Sequence, residues 1–215
     1  MRLYDYAASA NAYKVRLLLA ELGRDDVERV AVDIFDGATL TDGYVALNPS
    51  RTVPVLELDD GRTLPESGAI LWHLAEGTPL LPDDRLDRAQ VLRWLLWEQA
   101  DLVHAIAGLR FRLMTGRLTP EEPAARARHA AALEVLALLD DHLRDRPFLV
   151  GDAYTIADVA VYGYAHVASD AGLALEPYPA VVGWLGRVAS RPAYMNDLVP
   201  YPPNASVLAG RSIYG

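Results

Sequence analysis

The chain contains no cysteine. Disulfides, thiolate metal sites and a catalytic thiol of its own are therefore excluded. Its five histidines (His73, His104, His129, His142 and His166) are scattered without ligand spacing, so no metal is expected. No apolar run approaches the ~20 residues that a membrane-spanning helix needs. Basic clusters are missing as well. With 20 basic and 29 acidic side chains the net charge is −9, which argues against nucleic acid as a partner. The opening MRLYDYAAS leads directly into structure and lacks the layout of a signal peptide. The expectation is a soluble cytoplasmic protein with no membrane partner.

What is present suits a globular protein. The 215 residues are 52% hydrophobic and 23% charged, enough for one large or two small domains. Arg2 to Tyr6 reads as a first strand. Val15, Leu17, Leu18, Leu19 and Leu22 then mark a helix closed by Gly23, and Val27 to Ile34 alternates as a second strand. Strand, helix, strand favours a parallel pair with a right-handed crossover. Phe35 to Leu47, broken by Gly37 and Gly43, reads as a weak helix.

The stretch NPSRTVPVLELDDGRTLPESGAILWHLA, from Asn48 to Ala75, organises the N-terminal half. Val53 to Leu58 suits a strand, Asp59-Asp60-Gly61-Arg62 a turn, and Thr63-Leu64 a short partner strand. Pro65-Glu66-Ser67 opens a helix carrying Ile70, Leu71 and Leu74. Pro54 falls at a strand's start, where a missing amide is tolerated. A cis Val53–Pro54 bond leaves the amide and carbonyl of Val53 free for an extended ligand, whereas a trans bond is the commoner case. Glu66 and Ser67 at a helix start can receive the ammonium and carboxylate of an amino-acid head. A plain helix cap is the alternative.

Residues 77–86 (GTPLLPDDRL) read as a linker, which divides the chain into an N-terminal domain at 1–76 and a helical domain at 87–215. Helices are expected over Asp87 to Thr115, Glu121 to Leu143, Val159 to about Asp170, and Ala180 to Ser190. The tail from Tyr201 reads as irregular. Thr155 and Asp158 form a capping box, with Asp in place of the usual Glu.

Val-Pro opening a strand, a hairpin, and Glu-Ser opening a helix together resemble the glutathione-binding half of the glutathione S-transferase family. The Thr155–Asp158 box resembles that family's buried helical capping motif, and the likeness covers nearly the whole chain. It implies an α/β thioredoxin-like N-terminal domain followed by an all-α C-terminal domain. It further implies a glutathione transferase that adds the glutathione thiolate to a small electrophile, with isomerase or dehalogenase chemistry open to the same thiolate. Glutathione is then the co-substrate, detoxification the setting, and a homodimer the assembly.

The resemblance also assigns residues. Arg51, Thr52, Val53, Pro54, Glu66 and Ser67 would hold glutathione. The activating group lies between the first strand and first helix, where Ser9-Ala10-Asn11-Ala12-Tyr13-Lys14-Val15 resembles the serine-type register. Ser9 comes first, with Asn11 as competitor and Tyr6 third, while a simple N-cap role for Ser9 remains open. A second substrate would meet the first long helix of the C-terminal half, through Trp97, His104, Arg110 and Phe111, with Gln99, Met114 and Arg112 nearby. Core packing or a solvated helix face is the alternative for each.

Two departures from the family pattern stand out. Arg51 occupies a glycine position, and Phe35 to Leu47 lacks the lysine that often meets the glycyl carboxylate. Both leave room for a catalytically inactive binding or regulatory protein of the same fold.

Overall fold

The computed structural model describes residues 1–209. They fall into two compact units: Met1–Leu74 together with the chain from Ala193 on, and Ala75–Pro192.

In the first unit Arg2–Asp5 forms β1, Ala10–Glu21 α1, Glu28–Ala31 β2, Asp42–Leu47 α2, Val55–Glu57 β3, Thr63–Pro65 β4 and Ser67–Ala75 α3. The strands lie in the order β2-β1-β3-β4. β1 runs parallel to β2 and antiparallel to β3, and β3 pairs antiparallel with β4. This is the thioredoxin-like arrangement expected. Leu3, Val15, Leu19, Val27, Leu56 and Ile70 make one apolar cluster joining sheet and helices.

Sequence chemistry sets the limits of α1. Ser9 caps its start, accepting from the Ala12 amide. At its end Gly23 takes a φ of 63°, while the amides of Gly23 and Arg24 return to the carbonyls of Ala20 and Leu19. That pairing satisfies the last carbonyls, and the left-handed position suits glycine. Nine residues of α1, among them Lys14 and Arg16, are buried. Buried cations need partners. Arg16 donates to Asp5 at 2.6 Å, to Asp197 at 2.7 Å and to the Ala7 carbonyl at 3.2 Å. Arg29 closes the same network on Asp5 and Asp197.

Asp197 belongs to the C-terminal segment, which the domain reading of 87–215 grouped with the helical half. In the structure that segment packs on the first unit. Tyr13 Oη donates to the Met195 carbonyl, the Val199 amide to the Ala7 carbonyl, and Asn204 Nδ2 to Asp33. Irregular backbone offers no periodicity from which such a docking can be read. The stretch 210–215 of the expected tail lies outside the described residues.

The second unit is helical: α4 (Arg85–Trp97), α5 (Gly108–Met114), α6 (Pro123–Leu143), α7 (Ile156–Ala165) and α8 (Pro179–Ala189). The single long helix expected from Asp87 to Thr115 is continuous, but Glu98–Ala107 between α4 and α5 is wound as a π-helix. There the Gly108 amide reaches the Val103 carbonyl, five residues back. The apolar spacing cannot separate that winding from an α-helix. The helix expected to run on to about Asp170 stops as α7 at Ala165, and a separate turn covers Ala168–Ala171.

Every residue of α7 is buried, so its capping box is an internal polar centre. Asp158 accepts from the Leu149 amide at 3.0 Å and Trp184 Nε1 at 2.9 Å on one oxygen. On the other it accepts from the Thr155 amide at 2.9 Å and Thr155 Oγ1 at 3.2 Å. Burial nonetheless pushes its carboxyl up from 3.8 to about 6, against the four donors, which favour the anion. At the far end of α7, His166 stacks on Tyr162, with centroids 4.8 Å apart, and donates from Nδ1 to the Tyr162 carbonyl at 2.7 Å. Burial lowers this imidazole from 6.5 to about 4.

The two groups give stability opposite pH slopes. The raised acid contributes fully below its unfolded value of 3.8 and loses that contribution as pH climbs through about 6. The lowered histidine contributes fully above 6.5 and loses it as pH falls through about 4. Denaturant unfolding from pH 4 to 7 will therefore show His166→Phe losing the rise with pH and Asp158→Asn losing the fall. Asp158→Ala, which strips the acceptor from three buried N–H groups, is expected to cost about 3 kcal/mol or more at any pH in that range.

Candidate functional site

The candidate site lies at one end of the first unit's sheet. The register pairs Tyr4 with Val55 and Val55 with Pro65. One step beyond the ladder, Pro54 falls opposite Glu66 between β3 and β4 and opposite Asp5 between β3 and β1. At this same end β1 gives way to the loop that starts α1, and β4 gives way to α3. Two helix N-termini therefore meet the start of β3. The amides of a first helical turn have no acceptor within the helix, and the helix dipole is positive there. The arrangement favours anionic ligand groups.

The approach to β3 is held by Asn48, a residue whose role the sequence did not reveal. It is fully buried. Its Nδ2 donates to the Thr52 carbonyl at 2.9 Å and Thr52 Oγ1 at 3.0 Å, and its Oδ1 accepts from the Ser50 amide at 3.0 Å. Tyr44 Oη adds a second donor to the Thr52 carbonyl, at 2.7 Å. The loop so clamped carries Arg51 at a φ of 58° and leads into a cis Val53–Pro54 bond. Of the two isomers left open by the sequence, the rarer is present.

Glu66 is exposed, and its φ of 72° is also left-handed. Its carbonyl accepts the first bond of α3, from Ile70, at 2.9 Å, so the carboxylate stands at the head of that helix. Ser67 follows and is buried. A non-glycine residue in this backbone region stores strain, which tends to persist where surrounding structure serves a site.

On the α1 side, Ser9 is half-buried with its oxygen accepting from Ala12 at 3.3 Å. That bond uses a lone pair and leaves the hydroxyl proton free to donate. Asn11 stands in the same turn, and its Oδ1 accepts from Lys14 Nζ at 2.7 Å. Tyr6, just past the end of β1, is buried and in edge contact with Phe35.

The helical candidates separate. Trp97 and His104 together line a cavity of about 250 Å³ with Ala100, Asp101 and Leu138. Trp97 also packs edge-on to Trp94 at 4.9 Å. Phe111 instead lies beneath the Arg117 guanidinium, at 4.9 Å. Of the readings open for Arg110, a ligand contact, a solvated face or core packing, the structure shows the buried one. It is buried, and its Nε donates to Asp170 at 2.9 Å. Gln99 is turned to Glu98 at 2.8 Å, Arg112 to the Gly108 carbonyl at 3.0 Å, and Met114 is exposed. Among the described residues no group of three or more His, Asp or Glu side chains is placed to hold a metal ion.

Known proteins resemble this chain over most of its length. The family models for the N-terminal and C-terminal domains of glutathione S-transferase match residues 8–76 and 100–192. The Disulfide-bond oxidoreductase YfcG of Escherichia coli is 31% identical over 197 residues, covering 87% of this chain and 90% of that one. A crystal structure of a glutathione S-transferase from Pseudomonas fluorescens superposes with a TM-score of 0.88 at 39% identity, covering 92% and 98% of the two chains. Ure2p in complex with glutathione gives a TM-score of 0.79 at 26% identity over 89% and 90%.

The strain at residue 51 is open to measurement. A left-handed φ costs a non-glycine residue about 1–2 kcal/mol, of which glycine's extra unfolded entropy returns roughly half. Arg51→Gly should therefore exceed Arg51→Ala in unfolding free energy by about 0.5–1 kcal/mol. Equal stabilities in denaturant titration would count against the strain.

Proposed function

This chain belongs to the glutathione S-transferase family, and from that premise we propose that it binds glutathione at the sheet end just described and uses its thiolate. The observation that carries the reading is the meeting of two helix N-termini there, one bearing Ser9 and Asn11 and the other Glu66 and Ser67. In this reading Glu66 receives the ammonium of the γ-glutamyl head and Ser67 its carboxylate. The backbone of Val53, before Pro54, pairs with the cysteinyl residue, and Arg51 and Thr52 approach the glycyl end. A free thiol ionises near 8.5, so a donor must favour the anion at neutral pH. The Ser9 hydroxyl is the first such donor and the Asn11 amide the second.

The thiolate attacks an electrophilic carbon, either expelling a leaving group or adding to an enone that then takes up a proton. The second substrate is placed on the helical unit, with Trp97, His104 and Phe111 as contacts. Arg110 leaves that set because its guanidinium is committed to Asp170. The exposed Leu92, Leu96 and Leu138 on α4 and α6 favour a homodimer.

The likeness to a disulfide-bond oxidoreductase favours a second reading, glutathione-dependent disulfide reduction. With no cysteine in the chain, every sulfur would come from elsewhere. Two glutathione thiols would be oxidised to one disulfide while a substrate disulfide is reduced to two thiols.

Calorimetric titration with glutathione, read alongside ultraviolet thiolate absorbance at neutral pH, tests the proposal. Glu66→Ala should weaken binding about 10–100-fold, the worth of one hydrogen bond to a charged group. Ser9→Ala should keep binding and lose thiolate. Thiolate unchanged in Ser9→Ala transfers the role to Asn11. Binding without thiolate in the wild type indicates a non-catalytic binding protein, and no binding at all ends the proposal.

A further inference from the structure

We propose that Lys14 is a positioning residue: it turns the Asn11 side chain so that an N–H, and not the amide oxygen, faces the thiol of glutathione. The inference rests on the glutathione reading above and concerns which group of the first helical turn meets the sulfur.

An ammonium group has three donors and no acceptor. The atom of Asn11 that Lys14 Nζ approaches to 2.7 Å must therefore be the oxygen. The ambiguity that ordinarily attends an amide side chain is removed by its partner's chemistry. With the oxygen turned to Lys14, the Nδ2 group is the end left to face away from it. A group that only donates there favours a thiolate, which accepts, over a thiol bound through its own proton.

Lys14 is almost fully buried, in a helix buried on most of its circumference, and an ammonium withdrawn from water must be repaid by good hydrogen bonds. Three residues along a helix is the spacing at which two side chains lie over one another, so Lys14 reaches Asn11 without bending α1.

The neighbouring charges cannot take this role. Arg16, two residues on, spends its nitrogens on Asp5, Asp197 and the Ala7 carbonyl. Arg29 is held by Asp5 and Asp197. Asp5 and Asp197 are thereby the acids of that network, and Lys14 supplies the cation on the Asn11 side.

The test compares Lys14→Met, Lys14→Gln, Asn11→Ala and the double variant Asn11→Ala/Lys14→Met with wild type. Steady-state kinetics use an aryl halide and glutathione, and a pH titration follows the absorbance of the bound thiolate. Lys14→Met should lower kcat about tenfold, less than the ~100-fold that removing a donor outright costs. It should raise the bound thiol's pKa by about one unit and leave KM for glutathione within about twofold. Lys14→Gln, which retains an N–H for the Asn11 oxygen, should recover most of kcat. The double variant should be no worse than Asn11→Ala, because Lys14 acts through Asn11.

Additive losses in the double variant, or a thiolate fraction unchanged in a folded Lys14→Met, would overturn the inference. A ligand-free measurement separates its failure from that of the glutathione reading. The Asn11 side-chain amide signal in a nitrogen-edited NMR spectrum, identified by its absence in Asn11→Ala, should move in Lys14→Met and stay near its place in Lys14→Gln. An unmoved signal overturns the inference even where glutathione binds. A moved signal in a protein that does not bind glutathione supports the orientation and refutes the function assigned to it.

Discussion

A helix buried on almost every side leaves its enclosed charges no route to water, and α1 buries two of them, Lys14 and Arg16. Their need for partners shapes the first unit. Arg16 draws together β1 through Asp5, the loop after β1 through the Ala7 carbonyl, and the C-terminal segment through Asp197. Arg29 ties β2 to the same acids. Replacing such a pair by apolar residues often costs nothing, but removing one member strands the other. The chain is thus committed to the whole set once α1 is enclosed, and the loop that carries Ser9 is fixed as a consequence.

The same logic of satisfying buried groups builds the other half of the site. Asn48 has no solvent and spends its amide on the loop it begins, so that the approach to β3 is determined before any ligand arrives. Around that clamp the chain accepts left-handed backbone at Arg51 and Glu66, positions where glycine would be easier. At Glu66 the strain sets a carboxylate at the head of α3. A plain cap would ordinarily take extended backbone, and Glu66 departs from it.

The helical unit repeats the pattern at a larger scale. Asp158 gathers an amide from the preceding connector, the amide and hydroxyl of its own cap, and the Trp184 indole of α8. Sequence spacing identified the Thr155–Asp158 box but could not reach Leu149 or Trp184. Those partners are brought in by folding, not by the 3.6-residue repeat. Arg110 shows the limit most plainly. Its position in GLRFRL allowed a ligand contact, a solvated face or core packing, and it proved to be a buried partner of Asp170, 60 residues away.

The sequence by itself determined the succession of strands and helices, the capping signals and the short motifs at Val53-Pro54 and Glu66-Ser67. These depend on local periodicity and on groups a few residues apart. Only the tertiary structure decided the proline's isomer, the π-wound stretch inside the long helix, the return of the C-terminal segment to the first unit, and the pairing of Lys14 and Arg16. The return of the C-terminal segment and the pairing of Arg16 are settled by which distant group a buried donor, acceptor or charge can reach, and no repeat in the sequence encodes that distance.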